Sequence, residues 1–240
     1  MKFAKYLANL GYGSRREVLR MFAQNEITDR IGNVLSEHEV FTHDQVLVNG
    51  EPLDPPPGSA VIFNKPVGYV CSTREASALI YELLPSRFLD RTPIMAPIGR
   101  LDRDTSGLLL LTDDGQLNHR VTSPKTHLAK VYAVELANDL RGDEAELFAS
   151  GTMLLESETD TLSAAELRVL SARSAEITLT EGRYHQVRRM FAAVGNHVES
   201  LHRISIGELQ LGALESGKWR ILNPNEIQLV SGSPRLRASA

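Results

Sequence analysis

The chain has 240 residues, of which 42% are hydrophobic and 23% are charged. These fractions are ordinary for a folded globular protein, so they exclude a chain that is disordered throughout. The length allows one large domain or two modest ones. The single cysteine, Cys71, excludes an intrachain disulfide and a cysteine zinc site, and it favours a reducing compartment such as the cytoplasm. No apolar run approaches the ~18 residues of a membrane span, so we expect no membrane partner.

The charge is distributed unevenly along the chain. The formal net charge of −4 by itself argues weakly against a nucleic-acid partner. Residues 1–24, however, contain one acidic residue, Glu17, among several basic ones, and residues 183–203 contain only Glu199 among four arginines. Because phosphate groups respond to local patches rather than to the net charge, both stretches are candidate contacts for phosphate.

Two short helices are predicted at the start of the chain. Apolar residues at helical spacing run from Phe3 to Leu10, and Gly11 is a typical C-terminal stop. Ser14 and Glu17 have the spacing of a capping box, which predicts the beginning of a second helix.

Two hairpins and a proline-rich segment follow. Residues 27–35 would fold at Gly32-Asn33, and residues 46–53 would fold at Asn49-Gly50, a strong hairpin signal. The three consecutive prolines of residues 54–58 cannot join a helix or a central strand, so we expect a semi-rigid spacer there. The predicted divisions are a small domain over residues 1–54, a linker over 55–59, a larger domain over 60–231 and a disordered tail over 232–240.

The sequence of the larger domain predicts an α+β fold with a mostly antiparallel mixed sheet flanked by helices. Apolar or alternating runs predict strands at residues 60–63, 108–111, 130–136, 166–170 and 175–179. Helices are predicted at residues 116–121, 143–150 and 185–194. On the third of these strands Tyr132 fits a core position, but it could also stack on a base if the sheet face lines a cleft.

The first candidate site is the polar loop of residues 99–107. Two glycines bracket it, and it runs directly into an apolar strand, so it can hold the Asp102 carboxylate at the edge of the core. The simplest alternative is turn chemistry, in which Asp104 bonds to nearby amides. Another alternative is a Mg²⁺ or Mn²⁺ site in which Asp113 and Asp114 add carboxylates to those of the loop.

The second candidate site is the segment of residues 181–191, which enters a predicted amphipathic helix. Arg188 falls on the margin of the apolar stripe, where it could reach a half-buried carboxylate. Arg189 falls on the opposite face, which favours solvent or a phosphate contact. His185 fits an ordinary surface histidine better than a catalytic one.

Five motifs in order resemble those of the small ribosomal-RNA pseudouridine synthases. The resemblance covers about residues 1–230, and residues 184–197 are most similar to the type that modifies one uridine of 16S rRNA. The basic helix pair and the two hairpins resemble the S4-like RNA-binding domain that these enzymes carry in front. The motifs are Asn64-Lys65-Pro66-x-Gly68-Tyr69, Gly99-Arg100-Leu101-Asp102-x-Asp104-Thr105-Ser106-Gly107-Leu108, Lys130-Val131-Tyr132, Glu181-Gly182-Arg183-Tyr184-His185-Gln186-Val187-Arg188 and Leu201-His202-Arg203.

The resemblance implies an isomerisation of uridine to pseudouridine that needs no cofactor and no metal. It makes Asp102 the catalytic residue, which would attack the sugar, attack the base or abstract a sugar proton. Arg188 would pair with Asp102, Tyr132 would stack on the extruded base and assist proton removal, and Leu201 would back the ring. Arg100 would hold the flipped geometry or a phosphate.

The resemblance also implies contacts with RNA and a choice of partner. We expect a monomer that acts on ribosomal RNA, preferably 16S, or on a small-subunit assembly intermediate. A 23S rRNA uridine, a metal-dependent phosphoryl transfer and a non-catalytic assembly factor are the alternatives. The expected RNA-binding side chains are Lys65, Arg183, Gln186 and Arg189 in the large domain, and Arg15, Arg16 and Arg20 in the small one.

Overall fold

The computed structural model describes residues 2–231. The predicted tail therefore lies outside the described residues. Within the described part, no helix has the length and apolar character needed to cross a membrane. The helices are α1 Phe3–Asn9, α2 Arg15–Ala23, α3 Arg87–Asp90, α4 Gly115–Thr122, α5 Glu144–Ala149, α6 Gln186–Ala193 and α7 Pro224–Ser231, with 3₁₀ turns at His43–Gln45, Ile80–Leu83 and Pro124–Thr126. The strands are β1 Ile27–Asp29, β2 Val46–Val48, β3 Glu51–Pro52, β4 Ala60–Lys65, β5 Ala96–Ile98, β6 Thr105–Thr112, β7 Lys130–Leu136, β8 Glu166–Val169, β9 Ser174–Leu179, β10 Val198–Ile206, β11 Leu209–Gln210 and β12 Trp219–Ile221.

The N-terminal residues form two helices and a small sheet. Strands β1, β2 and β3 are antiparallel in that order, and α1 and α2 share an apolar core with them that includes Phe3, Val18 and Ile27. The capping box at the start of α2 is confirmed, since Ser14 and Glu17 exchange both hydrogen bonds. The predicted hairpin between β2 and β3 is also confirmed.

The remaining strands form one nine-stranded sheet, in the order β12-β4-β6-β10-β7-β9-β8 with β5 on β6 and β11 on β10. The pair β6–β10 is parallel and the other pairs are antiparallel, so the predicted mixed, mostly antiparallel sheet is confirmed. Strand β4 is buried on both faces. Its even-numbered residues pack towards α4 and α7, and its odd-numbered residues pack towards α3 and the 3₁₀ turn at Ile80–Leu83.

The proline-rich segment is anchored to the large sheet. Arg87 Nε lies 2.5 Å from Asp54 Oδ2, and this contact raises the pKa of Arg87. Arg91 donates to the carbonyl of Pro55 at 2.8 Å and forms an ion pair with Asp113 at 2.6 Å. The side chains of Arg91 and Asp113 are 1% and 4% exposed, so this pair is shielded from solvent. Side chains therefore hold the segment in place.

The central strand β10 was not predicted from the sequence. It is the longest strand, and it pairs with both β6 and β7. Its pairing with β7 shifts register between Val198 and Ser200 and again between Arg203 and Ser205. Because each bulge moves the following side chains to the other face, the strand lacks the simple alternation that sequence analysis depends on.

Gly107 sets how closely β6 approaches β10. Its φ is +104°, and it is the β6 residue that pairs with Arg203. A Cβ atom at this position would lie 2.3 Å from the backbone oxygen of Arg203. Glycine is therefore required both by the backbone conformation and by the space available.

We expect Gly107→Ala to lower the free energy of unfolding by about 3 kcal/mol, because it adds a left-handed non-glycine residue and a backbone clash. Urea denaturation followed by circular dichroism measures this loss. Gly115→Ala is the matched control, since a Cβ there meets nothing within 4 Å and Gly115 lies in the first turn of α4. Equal stabilities of the two variants would contradict the account.

Candidate active site

The loop between β5 and β6 carries Asp102 at the edge of the core. It leaves β5 at Gly99, whose φ is +69°. The Asp102 carbonyl accepts from the Thr105 amide at 3.1 Å, and the Arg103 carbonyl accepts from the Gly68 amide at 2.8 Å. The loop is therefore fixed by its backbone, while the Asp102 side chain stays 39% exposed.

Lys65 fixes this loop from beneath. It is the last residue of β4 and is fully buried. Its Nζ donates to the carbonyls of Asp102 at 3.0 Å and Thr105 at 2.8 Å, and also to that of Pro66 at 3.0 Å. Burial lowers the pKa of Lys65. The expectation that Lys65 contacts RNA is wrong, because Lys65 is fully buried and its ammonium group is enclosed by the backbone of the Asp102 loop.

A cleft of about 590 Å³ opens beside this loop. Its floor is one face of the sheet, where Leu201 of β10 pairs with Thr105 of β6, and Arg203 of β10 pairs with Tyr132 of β7. The pleat places these side chains on the same face. Of the residues predicted for the site, the cleft is lined by Arg100, Asp102, Tyr132, Arg183, Gln186 and Leu201.

The neighbour of the Asp102 carboxylate is His185. His185 Nε2 lies 3.5 Å from Asp102 Oδ1, and His185 has a left-handed backbone with φ 48° just before α6. Arg188 instead donates to the carbonyls of Asp104 and Val198, both at 2.8 Å. The predicted Arg188–Asp102 ion pair is therefore wrong in this structure: Arg188 ties the end of the Asp102 loop to the start of β10. His185 is partly exposed, as expected for a surface histidine, but its contact with Asp102 was not predicted.

Three side chains expected to face RNA are held by protein groups. Gln186 is buried, where it accepts from the Arg183 amide at 2.9 Å and donates to Glu181 at 2.8 Å. Arg189 and Arg183 bind Glu158 at 2.7 and 3.2 Å, and both lower the pKa of its carboxyl group. Gln186 and Arg189 thus organise neighbouring loops rather than standing free, because internal acceptors lie within reach. Arg183 does so as well, although it also lines the cleft.

Arg203 and Lys130 are cleft residues that the sequence analysis missed. Arg203 is 3% exposed, and its Nε donates to the carbonyl of Leu108 at 2.7 Å. Its Nη1 lies 3.5 Å from the Tyr132 hydroxyl, and among the described residues its Nη2 has no hydrogen-bond partner. Burial, followed by the nearby Arg203, lowers the pKa of Lys130. Strand alternation is the signal that could have found Arg203. Residues two apart on a strand share a face, so Arg203 lies on the same face as Leu201.

The carboxylates proposed for a metal site do not come together. Asp113 is bound by Arg91, and Asp114 caps the start of α4 by accepting from the amides of Gln116 and Leu117. Across residues 2–231, no group of three or more His, Cys, Asp or Glu side chains is arranged to hold a metal ion. Asp113 and Asp114 therefore do not add ligands to the Asp102 loop, as the metal-dependent alternative requires.

The cleft defines a class of protein. It combines an accessible carboxylate, a tyrosine ring and an apolar wall, with Arg100 and Arg183 among its lining residues. Such a cleft can enclose a planar polar ring while arginines interact with phosphates outside it. This arrangement fits an enzyme that acts on a nucleotide base extruded from its stack.

Comparisons with known proteins identify the family. Residues 59–193 match the family model described as RNA pseudouridylate synthase. The ribosomal small subunit pseudouridine synthase A of Escherichia coli (strain K12) is 44% identical over 204 residues, which cover 82% of each chain. The protein of the same name from Yersinia pestis is 41% identical over 98% of this chain and 100% of its own. A crystal structure of a pseudouridylate synthase matches with a TM-score of 0.67 and 35% identity over 96% of this chain and 99% of its own.

The chain belongs to the RNA pseudouridylate synthase family. It is therefore an isomerase that converts uridine in RNA to pseudouridine. The resemblance seen in the sequence motifs is confirmed at the level of the family and its reaction.

We expect Lys65→Met to lower kcat by about 100-fold, because the loop that carries Asp102 loses its anchor and small displacements of a catalytic group are costly. The free energy of unfolding should also fall by about 3 kcal/mol, since buried carbonyl oxygens lose their donor. The measurements are single-turnover pseudouridine formation and urea denaturation. Lys218→Met, at an exposed lysine, is the control. A Lys65→Met enzyme with wild-type kcat would show that the anchor is unimportant.

Proposed function

We propose that this chain isomerises one uridine of 16S rRNA, with Asp102 as the catalytic residue. The observation that carries the proposal is the meeting of Asp102, Tyr132 and Leu201 in one cleft, although they lie on separate segments of the chain. The names of the relatives from Escherichia coli (strain K12) and Yersinia pestis support a small-subunit substrate over a 23S one.

The proposed reaction is balanced without a cofactor. The bond between C1′ of the ribose and N1 of uracil breaks, the base turns, and a bond forms between C1′ and C5. C5 then loses its proton and N1 carries one, so the product is an isomer and nothing is oxidised or reduced. No step requires a leaving molecule or a co-reactant.

Each proposed role follows from position in the cleft. The Asp102 carboxylate is accessible and backed by a rigid loop, so it can act on the sugar or the base. The Tyr132 ring can stack on the extruded uracil, and its hydroxyl can assist proton removal from C5. Leu201 is buried beside them and backs the ring. Arg188 acts on the same site through the loop backbone.

Extrusion of the uridine has to be offset by new contacts. Unstacking a base costs a few kcal/mol, and stacking on Tyr132 with phosphate contacts at the rim supplies the compensation. Arg100 is exposed and lines the cleft, which suits a phosphate contact. Arg183 lines the same cleft, but its contact with Glu158 leaves it less free to turn towards RNA.

The N-terminal residues are proposed to dock the RNA. We assign residues 1–54 to an S4-like RNA-binding domain, 55–59 to the linker and 60–231 to the catalytic domain. Arg15, Arg16 and Arg20 are all exposed on α2, which supports phosphate contacts that position the substrate.

We further propose that the enzyme works as a monomer in the cytoplasm, on 16S rRNA or on a small-subunit assembly intermediate. Activity on assembly particles but not on free rRNA would identify the intermediate as the substrate.

Asp102→Asn should reduce pseudouridine formation by roughly 1000-fold or more while leaving RNA affinity near wild type, since the charge acts on the reaction rather than on docking. The assay incubates enzyme with 16S and with 23S rRNA in the presence of a chelator. Carbodiimide labelling and primer extension then map the product. Asp104→Asn, an exposed carboxylate two residues away, is the control and should stay active.

The outcomes separate the alternatives. A single new stop in 16S rRNA, made by the wild type and by Asp104→Asn only, would support the whole proposal. A stop only in 23S rRNA would contradict the substrate, and full activity of Asp102→Asn would contradict its catalytic role. Loss of activity on chelation would contradict the metal-free reaction. Binding without product on both free rRNA and assembly particles would favour an assembly factor.

Replacing Arg15, Arg16 and Arg20 together by Ala should weaken RNA binding and reduce the slope of log affinity against log salt by roughly 2, because each phosphate contact releases counterions. Filter binding over a range of salt concentrations measures that slope. Arg168→Ala, at an exposed arginine on β8 that pairs with Glu176, is the control and should leave the slope unchanged. An unchanged slope in the triple variant would remove these arginines from the RNA interface.

A further inference from the structure

A second, shallower pocket adjoins the catalytic cleft. It has a volume of about 440 Å³ and is lined by Glu156, Ser157, Glu158, Tyr184 and Arg189. Tyr184 lines both this pocket and the cleft that holds Asp102, so the two spaces are neighbours. The Tyr184 side chain is 71% exposed, although it lies beside the cleft of an RNA-modifying enzyme.

Tyr184 is held in a fixed orientation beside the reacting groups. Its ring stacks on that of His185 with a centroid distance of 3.9 Å and an interplanar angle of 16°. His185 in turn contacts Asp102 at 3.5 Å. The His185 ring therefore contacts the Asp102 carboxylate, and the Tyr184 ring stacks on the His185 ring. Arg189 also donates to the Tyr184 carbonyl at 3.2 Å, which fixes the backbone behind the ring.

The charges in this pocket favour a base over a phosphate. Glu158 takes hydrogen bonds from Arg189 and Arg183, which lower the pKa of its carboxyl group and keep it ionised. Glu156 is exposed at the pocket wall, and the Ser157 hydroxyl adds a further acceptor. Carboxylates repel a phosphate, but they accept from the amino and imino groups on the edges of nucleobases. The two arginines are occupied by protein acceptors, so the pocket offers no free positive charge.

The backbone supports a binding role for this pocket. Ser157 lies on its wall, and His185, the neighbour of Tyr184 in the chain, lines the adjoining cleft; their φ values are positive, 66° and 48°. Non-glycine residues in this conformation are sparsely populated and cluster at ligand sites.

We infer that the pocket is a subsite for the nucleobase next to the target uridine, which stacks on the exposed face of Tyr184. The inference rests on the proposed function. When the target uridine leaves its stack, the neighbouring base loses one stacking partner. The Tyr184 ring, one layer outside the ring that touches Asp102, supplies a replacement. The ligand class is an unpaired RNA base adjacent to the modified position.

The test compares the wild type with Tyr184→Ala and Tyr184→Phe on an RNA fragment that contains the modified uridine. Tyr184→Phe keeps the ring and serves as the matched control. Stacking on a base is worth ~1–3 kcal/mol, so Tyr184→Ala should raise KM by roughly 10-fold or more with kcat within about 2-fold, and Tyr184→Phe should resemble the wild type. Because Tyr184 is exposed, neither variant should lose stability.

A modified substrate makes the test specific for stacking. The same fragment is prepared with an abasic nucleotide on the 5′ side or on the 3′ side of the target. With one of these two fragments, wild type and Tyr184→Ala should have the same KM, because the ring has nothing to stack on. Persistence of the difference on both abasic fragments would overturn the inference, as would a wild-type KM for Tyr184→Ala on the complete fragment.

A fluorescence measurement separates this inference from the proposed function. A 2-aminopurine base beside the target should be quenched on binding to the wild type and to Tyr184→Phe, but not to Tyr184→Ala. If the wild type binds the RNA and forms no pseudouridine, the proposed function fails, whereas the quenching still reports on the subsite. If the wild type is active and quenching is equal in all three proteins, the subsite fails alone.

Discussion

The ammonium group of Lys65 holds the loop that carries Asp102 to the sheet. A buried charge is tolerated only when it is well satisfied, and here that is achieved by carbonyl oxygens of residues around the site rather than by a carboxylate. Three of these oxygens belong to Asp102, Arg103 and Thr105, so the position of the Asp102 carboxylate depends on the end of β4.

The sheet brings the rest of the site to that loop. The parallel contact between β6 and β10 places Leu201 beside Thr105, immediately after the Asp102 loop. The antiparallel contact between β10 and β7 adds Tyr132 opposite Arg203. Gly107 permits β6 and β10 to approach closely at this point. The segment that leads into α6 closes the cleft from the other side, and Arg188 links it to the Asp102 loop.

The sequence was sufficient for the parts whose signals are local. Strand β7 was predicted with its observed limits, because its residues alternate, and the capping box located the start of α2. The motifs also pointed to one reaction, and the cleft does join Asp102, Tyr132 and Leu201. Strand β10 escaped because its two bulges break the alternation on which such a prediction rests.

The sequence could not determine which group each basic side chain would contact in the folded protein. A lysine in a motif and an arginine on a helix margin can each turn towards solvent, a carboxylate or a carbonyl. Lys65 and Arg188 both bind carbonyls, because tertiary packing brings the loop backbone within reach. At Lys65 it also excludes water. The contact of His185 with Asp102 was not predicted either, because the left-handed backbone of His185 has no signature in the neighbouring sequence.

The most direct test of the account is a crystal structure of the enzyme with an RNA fragment that carries 5-fluorouridine at the target. Fluorine at C5 cannot leave as a proton, so the reaction should stall with the base in the cleft. We expect the fluorinated ring to lie between Tyr132 and Leu201, with its sugar or base in contact with Asp102. Lys65 should still be bound to the loop carbonyls. A ring bound outside this cleft, or Lys65 turned out to a phosphate, would contradict it.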